Sequence, residues 1–273
     1  MSKVAIQGIR GSYHHQVGID FFGKEIKLLE FMSFDELVSS IVNNKCEMGV
    51  MAIENSIAGS IIPNYALIDN SNLKIIGEHY ININHQLMAL KGTKIKDLNV
   101  VASHPMALLQ CKEFFKKYPK ITLVEDKDTA DVALRIQKNK IKNMGAIASF
   151  EASKIYELEI LSKNIQTIKN NETRFVIISK NLFEDDSKCN KASIKFVLNH
   201  QTGSLSSVLE ILKDNNLNLT KIQSLPIVKT PWKYSFFVDT TFSSIDYLNK
   251  ALKLIDEKSE FLKVLGIYQN KIR

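Results

Sequence analysis

Short apolar runs alternate with longer segments at helical spacing through the first 180 residues of the chain, and polar or small residues punctuate every change. Residues 3–7 predict a strand, and Gly8-Ile9-Arg10-Gly11-Ser12 turns into a helix with Val17, Ile19, Phe21 and Phe22 apolar. Ser12 fits its N-cap. Residues 27–31 predict a second strand, and Ser33 caps a helix that turns Leu37, Val38 and Ile41 inward. The apolar strand over 48–53 then stops at Glu54-Asn55-Ser56-Ile57-Ala58-Gly59-Ser60, and 61–68 reads as a helix with Pro63 in its first turn. Amides, hydroxyls and backbone N–H groups at that point predict a cradle for a small anion.

The pattern recurs three times. A strand over 100–102 stops at Ser103-His104-Pro105, one over 123–125 leads to Asp128-Thr129-Ala130-Asp131, and one over 145–148 leads to Ser149. Such alternation predicts parallel or mixed α/β sheets, with the capped starts at the carboxyl ends of strands, where these sheets bind ligands. Asn170-Asn171-Glu172-Thr173 enters a strand over 174–178, and 181–190, with Asp185-Asp186-Ser187-Lys188, predicts a linker. Beyond it the order becomes strand 193–198, helix 205–212, strands 217–224 and 234–239, helix 245–255 and strand 261–265. That is the ferredoxin-like βαββαβ order.

Composition narrows the function classes. The chain has 273 residues, 45% of them hydrophobic, which suits two globular domains. No run of 18 apolar residues occurs and the first ten residues have no signal-peptide core, so a cytoplasmic protein without a membrane span is expected. Cys46, Cys111 and Cys189 are too far apart for a disulfide framework or a zinc site. The net charge is +7, but the basic residues are scattered, and no nucleic-acid partner is expected. Only Arg10, Arg135, Arg174 and Arg273 are arginines among 36 basic residues, which draws attention to the two beside motifs, Arg10 and Arg174.

Converging hydroxyls and amides with one arginine suit a small substrate carrying one or two carboxylates. No dinucleotide-binding, P-loop or HExxH motif is present. His14 and His15 point to different sides of a helix and read as one surface and one pocket-edge histidine. Ser103 reads as a cap, or with His104 as a binding pair. Thr173, Arg174 and Phe175 offer a donor, a cation and an aromatic wall. Strand alternation puts Arg174 opposite the other two, so a bend over 171–173 would be needed to unite them.

The ordered motifs resemble the prephenate dehydratase family over nearly the whole chain. Gly8 to His15 resembles its glycine-rich turn, Glu54-Asn55-Ser56-Ile57-Ala58-Gly59-Ser60 its Glu-Asn-Ser-x-x-Gly-Ser motif, Ser103-His104-Pro105 with Gln110-Cys111 its Ser-His-Pro segment, and Thr173-Arg174-Phe175 its Thr-Arg-Phe signature. The resemblance implies a two-subdomain catalytic region like a type II periplasmic binding protein over 1–180, with subdomain 1 about 1–78 plus the C-terminal strand and subdomain 2 about 79–172. It also implies an ACT regulatory domain over 191–273. The implied reaction converts prephenate to phenylpyruvate, water and carbon dioxide without organic cofactor or metal, in phenylalanine synthesis. Arogenate dehydratase and a non-catalytic sensor of small carboxylates or amino acids are the alternatives.

By the same resemblance Thr173 and Arg174 are catalytic, while Ser12, Asn55, Ser56, Gly59, Ser60, Ser103, His104 and Phe175 contact substrate. Gly203, Leu205, Asn218 and Leu219 are the regulatory candidates, with L-phenylalanine as effector and a homodimer or homotetramer as the assembly. The chain departs from the family at Ile9, Ser12 and His14, where proline, threonine and serine are usual. It departs again at Gly203-Ser204-Leu205-Ser206 and at Gln223-Ser224-Leu225-Pro226, where Gly-Ala-Leu-Val and Glu-Ser-Arg-Pro are usual.

Overall fold

The computed structural model describes residues 2–181, 188–227, 230 and 233–271, so most of the predicted linker, and Arg273, lie outside the described residues. The chain begins β1 (Lys3–Gln7), α1 (Tyr13–Phe22), β2 (Lys27–Phe31), α2 (Phe34–Val42), β3 (Met48–Asn55), β4 (Gly59–Ser60), α3 (Ile62–Asn70) and β5 (Lys74–Asn82). It continues β6 (Gln86–Ala89), β7 (Val100–Ser103), α4 (Pro105–Phe115), β8 (Thr122–Glu125), α5 (Thr129–Asn139), β9 (Met144–Ala148), α6 (Phe150–Ile155), β10 (Glu159–Ser162) and β11 (Glu172–Ser179). The last elements are β12 (Lys191–Val197), α7 (Ser204–Asp214), β13 (Asn218–Pro226), β14 (Tyr234–Thr241), α8 (Ile245–Lys258) and β15 (Phe261–Tyr268). Two compact units result: Met1–Gly59 with Tyr80–Phe175, and Ser60–His79 with Val176–Arg273.

The first unit contains two sheets. β1 pairs in parallel with β2 and β3, and Val4, Ala5 and Ile6 are wholly buried, as expected of a central parallel strand covered on both faces. The second sheet has the order β10-β6-β9-β7-β8 and is mixed, with β7 parallel to β8 and β9 and β6 antiparallel to β9 and β10. α4 supplies Ala107, Leu108, Cys111 and Phe115 to one of its hydrophobic clusters, and α5 supplies Ala130, Val132, Ala133 and Ile136 to another. Ser12, Ser33, Asp128 and Ser149 each accept a backbone N–H as N-caps, as their sequence positions predict.

In the second unit, β13-β14-β12-β15 form an antiparallel sheet. Alternation along β12 decides what lies on each face. Ala192, Ile194 and Phe196 join Val208 and Leu212 of α7 and Leu248, Ala251 and Ile255 of α8 in one core. The intervening residues carry polar groups: Ser193 bonds to Asp239 and Tyr268, while Lys191 and Lys195 meet residues 60–79. Lys191 Nζ lies 2.9 and 3.1 Å from the Glu78 carboxylate oxygens, and both side chains are essentially inaccessible to water. Lys195 and Lys263 share Asp69, and Tyr65 packs edge-on to Phe237 at 5.4 Å. Gly266 is needed here because a Cβ would come within 2.0 Å of the Ile75 carbonyl oxygen.

The sequence pattern does not predict β5, β6 or β10. β6 and β10 are four residues long, and β5 carries Glu78 in its middle. A buried carboxylate is admissible there because of a lysine 113 residues away, which no local pattern reveals. The pair generates a stability prediction. Lys191→Met should destabilise the protein by about 3–5 kcal/mol, the usual effect of leaving one member of a buried pair, and adding Glu78→Leu should recover much of the loss. Urea unfolding of the three proteins measures this; a single variant as stable as the parent contradicts it.

Candidate active site

Asn55 ends β3 with its side chain buried and every polar position filled. Its Oδ1 accepts the N–H groups of Ile57 at 3.0 Å and Ala58 at 2.9 Å. Those two donors leave only one orientation for the amide, so Nδ2 faces acceptors: Asn171 Oδ1 at 2.7 Å, Thr173 Oγ1 at 2.8 Å and the Glu172 carbonyl at 3.2 Å. The Ser56 N–H donates to the Glu172 carbonyl, and Ser56 Oγ accepts the Glu172 N–H. The expected anion cradle is therefore occupied by the protein itself: the N–H groups of residues 56–58 are consumed in fixing Asn55 and the start of β11. Gly59 is exposed at φ +81° and Ser60 is half-buried.

A consequence follows for Thr173, which is 7% exposed. Its oxygen accepts from Asn55, and among the described residues no acceptor takes its proton. The hydroxyl can donate to a ligand without breaking a protein bond. No bend unites the three residues of the Thr-Arg-Phe segment, since β11 is already regular from Glu172. Arg174 lies 4.0 Å from Glu54 on the opposite face of the strand from Thr173 and Phe175. Phe175 meets the His14 ring edge-on at 4.9 Å. His14 is thus a core residue, neither the surface nor the pocket-edge histidine expected of the pair: its Nε2 faces the Ala52 N–H at 3.4 Å, and burial pushes its pKa down to about 3.

Ser12 is buried and caps α1 through the His15 N–H at 3.2 Å. The turn before it is tied down by Ser149 Oγ on the Gly11 carbonyl at 2.6 Å and by Tyr156 Oη on the Arg10 carbonyl. Gly8 has φ +83°, and a Cβ there would fall 2.6 Å from Asp128 Oδ2. Burial raises the Asp128 carboxyl to about 6 although its Oδ1 caps α5. Ser103 is not the cap of α4; His104 is, through Nδ1 and the Met106 N–H, and it is exposed. Ser103 ends β7, and its Oγ donates to the Ile147 carbonyl on β9 at 2.6 Å. Arg10 and His15 line a groove of about 680 Å³ with Glu30, Glu151 and Lys154.

Sequence reasoning missed the extension of the Asn55 network. Asn171 Nδ2 donates to Gln110 Oε1 at 2.9 Å, and His85 Nε2 lies 2.9 Å from the same oxygen. Gln110 stood within a recognised segment without a role, and nothing near His85 signalled one. Together these groups form a buried, rigid, uncharged lattice ending in one hydroxyl with an unused proton.

Comparison with known proteins shows the family. The prephenate dehydratase family model matches residues 4–182. The chain belongs to the prephenate dehydratase family. It is 34% identical to a bifunctional chorismate mutase/prephenate dehydratase of Buchnera aphidicola from Schizaphis graminum, across 99% of this chain and 72% of that protein. It is 33% identical to the prephenate dehydratase of Methanocaldococcus jannaschii, across 98% of each. Among solved structures, a prephenate dehydratase from Arthrobacter aurescens in complex with L-Phe superposes with a TM-score of 0.87 at 19% identity, across 98% of this chain and 90% of that one. The prephenate dehydratase fold is shared throughout.

Two buried histidines give this family member a pH signature. Burial holds His14 at about 3 and His85 at about 4, so the folded rings are neutral while unfolded ones protonate below about 6.5. Their contribution is complete above pH 6.5, declines as pH falls, and stops declining near 3 for His14 and near 4 for His85. Each contributes a slope of up to about 1.4 kcal/mol per pH unit in that window. Urea unfolding should show lower stability at pH 5 than at pH 7.5, with a shallower fall in His14→Gln; equal slopes in the two proteins would contradict a neutral His14.

Proposed function

We propose that the protein catalyses the conversion of prephenate to phenylpyruvate, water and carbon dioxide, with Thr173 as the hydrogen-bond donor to the leaving hydroxyl. The observation that carries this reading is the unused Thr173 proton, held outward because Asn55 donates into the oxygen. In the reaction the bond from the ring to its carboxylate breaks, its electron pair enters the ring, and the C4 hydroxyl departs as the ring becomes aromatic. Charge therefore grows on the departing oxygen. A donor aimed at it is worth about 10²–10⁴ in rate, or roughly 3–5 kcal/mol. The N–H of Asn55 on Thr173 Oγ1 keeps the hydroxyl in its donating orientation but leaves it a weak acid, so it assists departure without ionising, and the proton that completes the water molecule comes from solvent.

The carboxylate that leaves as carbon dioxide needs a loose environment, because a tight ion pair would stabilise the ground state. The pyruvyl carboxylate is the better target for the hydroxyls of Ser12, Ser56 and Ser60 and for the exposed backbone at Gly59. Asn55 and Ser103 serve as struts, their polar atoms being engaged within the protein. Arg174, beside Glu54 on the other strand face, contributes positive charge to the site without touching the leaving oxygen. His104 and Phe175 bound the pocket. No residue in this scheme calls for a cofactor.

The C-terminal βαββαβ unit is read as an ACT regulatory domain over 191–273 that binds L-phenylalanine near Gly203, Leu205, Asn218 and Leu219. Gly203 is in the left-handed region at φ +84° and opens α7, and β13 is an edge strand with Ile222 exposed, which favours assembly into a homodimer or homotetramer. A cytoplasmic setting completes the reading.

One assay tests it: phenylpyruvate release from prephenate by the full chain, repeated with arogenate and with added L-phenylalanine. The expected result is turnover of prephenate in preference to arogenate, inhibition by millimolar L-phenylalanine, and a fall in kcat of about 10²-fold or more in Thr173→Ala, with Thr173→Ser much nearer the parent. Near-normal kcat in Thr173→Ala would overturn the role of that residue, and absence of phenylpyruvate would overturn the reaction.

A further inference from the structure

The polarity of the buried lattice can be followed from the main chain outward, one hydrogen bond at a time. The N–H groups of Ile57 and Ala58 fix Asn55, whose Nδ2 fixes Asn171 by donating to its Oδ1. Asn171 must then present Nδ2 to Gln110, which makes the facing atom of Gln110 an oxygen at 2.9 Å. His85 Nε2 lies 2.9 Å from that same oxygen and must therefore carry a proton. Burial keeps the ring neutral, so Nδ1 is bare and faces Tyr13 Oη at 3.3 Å. The one Tyr13 O–H lies within reach of both the bare Nδ1 and the Asn84 carbonyl at 3.0 Å and is shared between these two acceptors.

Two donors converge on Gln110 Oε1, one from each side. If the donor from His85 is lost, the Gln110 amide keeps a single anchor and is free to rotate, and Asn171 can rotate with it. Asn55 would then share its N–H groups differently between Asn171 and Thr173. We propose that His85 is a positioning residue for Thr173, acting through Gln110, Asn171 and Asn55 to keep the threonine proton directed at substrate. The inference rests on the dehydratase reading for its kinetic consequence, while the tautomer it requires is independent of any activity.

Glutamine can place an amide N–H close to the position of His85 Nε2, and methionine fills similar space without a donor. In the full chain, His85→Gln should keep kcat on prephenate within about threefold. His85→Met should lose about 10²-fold in kcat, the scale of an ångström-sized misplacement of a catalytic group, with KM changed less than about threefold. Thermal unfolding of each variant establishes that it is folded. Nitrogen-15 spectra of histidine-labelled parent protein should show His85 protonated at Nε2 and bare at Nδ1 at pH 7. Unchanged kcat in His85→Met, a loss confined to KM, or an equal loss in a folded His85→Gln would overturn the proposal. Protonation at Nδ1 in place of Nε2 would overturn it even if the parent protein failed to turn over prephenate, a failure that by itself would strike only the dehydratase reading.

Discussion

One side chain sets the geometry on which the rest of the site depends: Asn55 accepts two backbone N–H groups with its oxygen and spends its nitrogen on three acceptors, one of them Thr173. Each bond is individually modest, worth about 1 kcal/mol net, but leaving any of these buried groups unpaired costs more than forming the bond gains. The lattice is therefore either fully made or disrupted as a whole. It orders the end of β3, the start of β11 and the one hydroxyl that faces outward, using no charge and no metal ligand. A neutral donor suits a reaction that begins from two carboxylates, and Arg174, the buried cation one residue on, lies on the other strand face beside Glu54.

A second set of charges is buried in the other unit. In the second unit, alternation along β12 sends apolar residues to α7 and α8 and sends Lys191 and Lys195 to the acidic residues of 60–79. That segment follows directly from Gly59 and runs directly into Tyr80. Residues 60–79 are thus held by the C-terminal sheet through a buried ion pair, a shared aspartate and a close approach at Gly266.

The parts of this organisation that the sequence makes legible are those written locally. Ser12, Ser33, Asp128 and Ser149 announce their helices because a cap needs only its own next few residues. The βαββαβ order is equally readable from periodicity. What is not legible depends on partners far away in the chain. Asn171 meets Gln110 across 61 residues, and His85 meets Gln110 across 25. Ser103 looks like a cap but is drawn into the sheet by the Ile147 carbonyl, and His104 takes over the cap. The Glu54–Ser60 motif looks like an open cradle because its own asparagine, which closes it, is part of the motif. Family resemblance named the candidate residues as a group; the hydrogen bonds separate those whose polar atoms are engaged within the protein, Asn55 and Ser103, from Thr173, whose proton is not.

The direction of one proton is the core of this account, and neutron diffraction from perdeuterated crystals observes it directly. Two deuterons on Asn55 Nδ2, one directed at Thr173 Oγ1, and a Thr173 deuteron directed away from Asn55 are the predicted result. A Thr173 deuteron directed at Asn55, with the amide reversed, would contradict it.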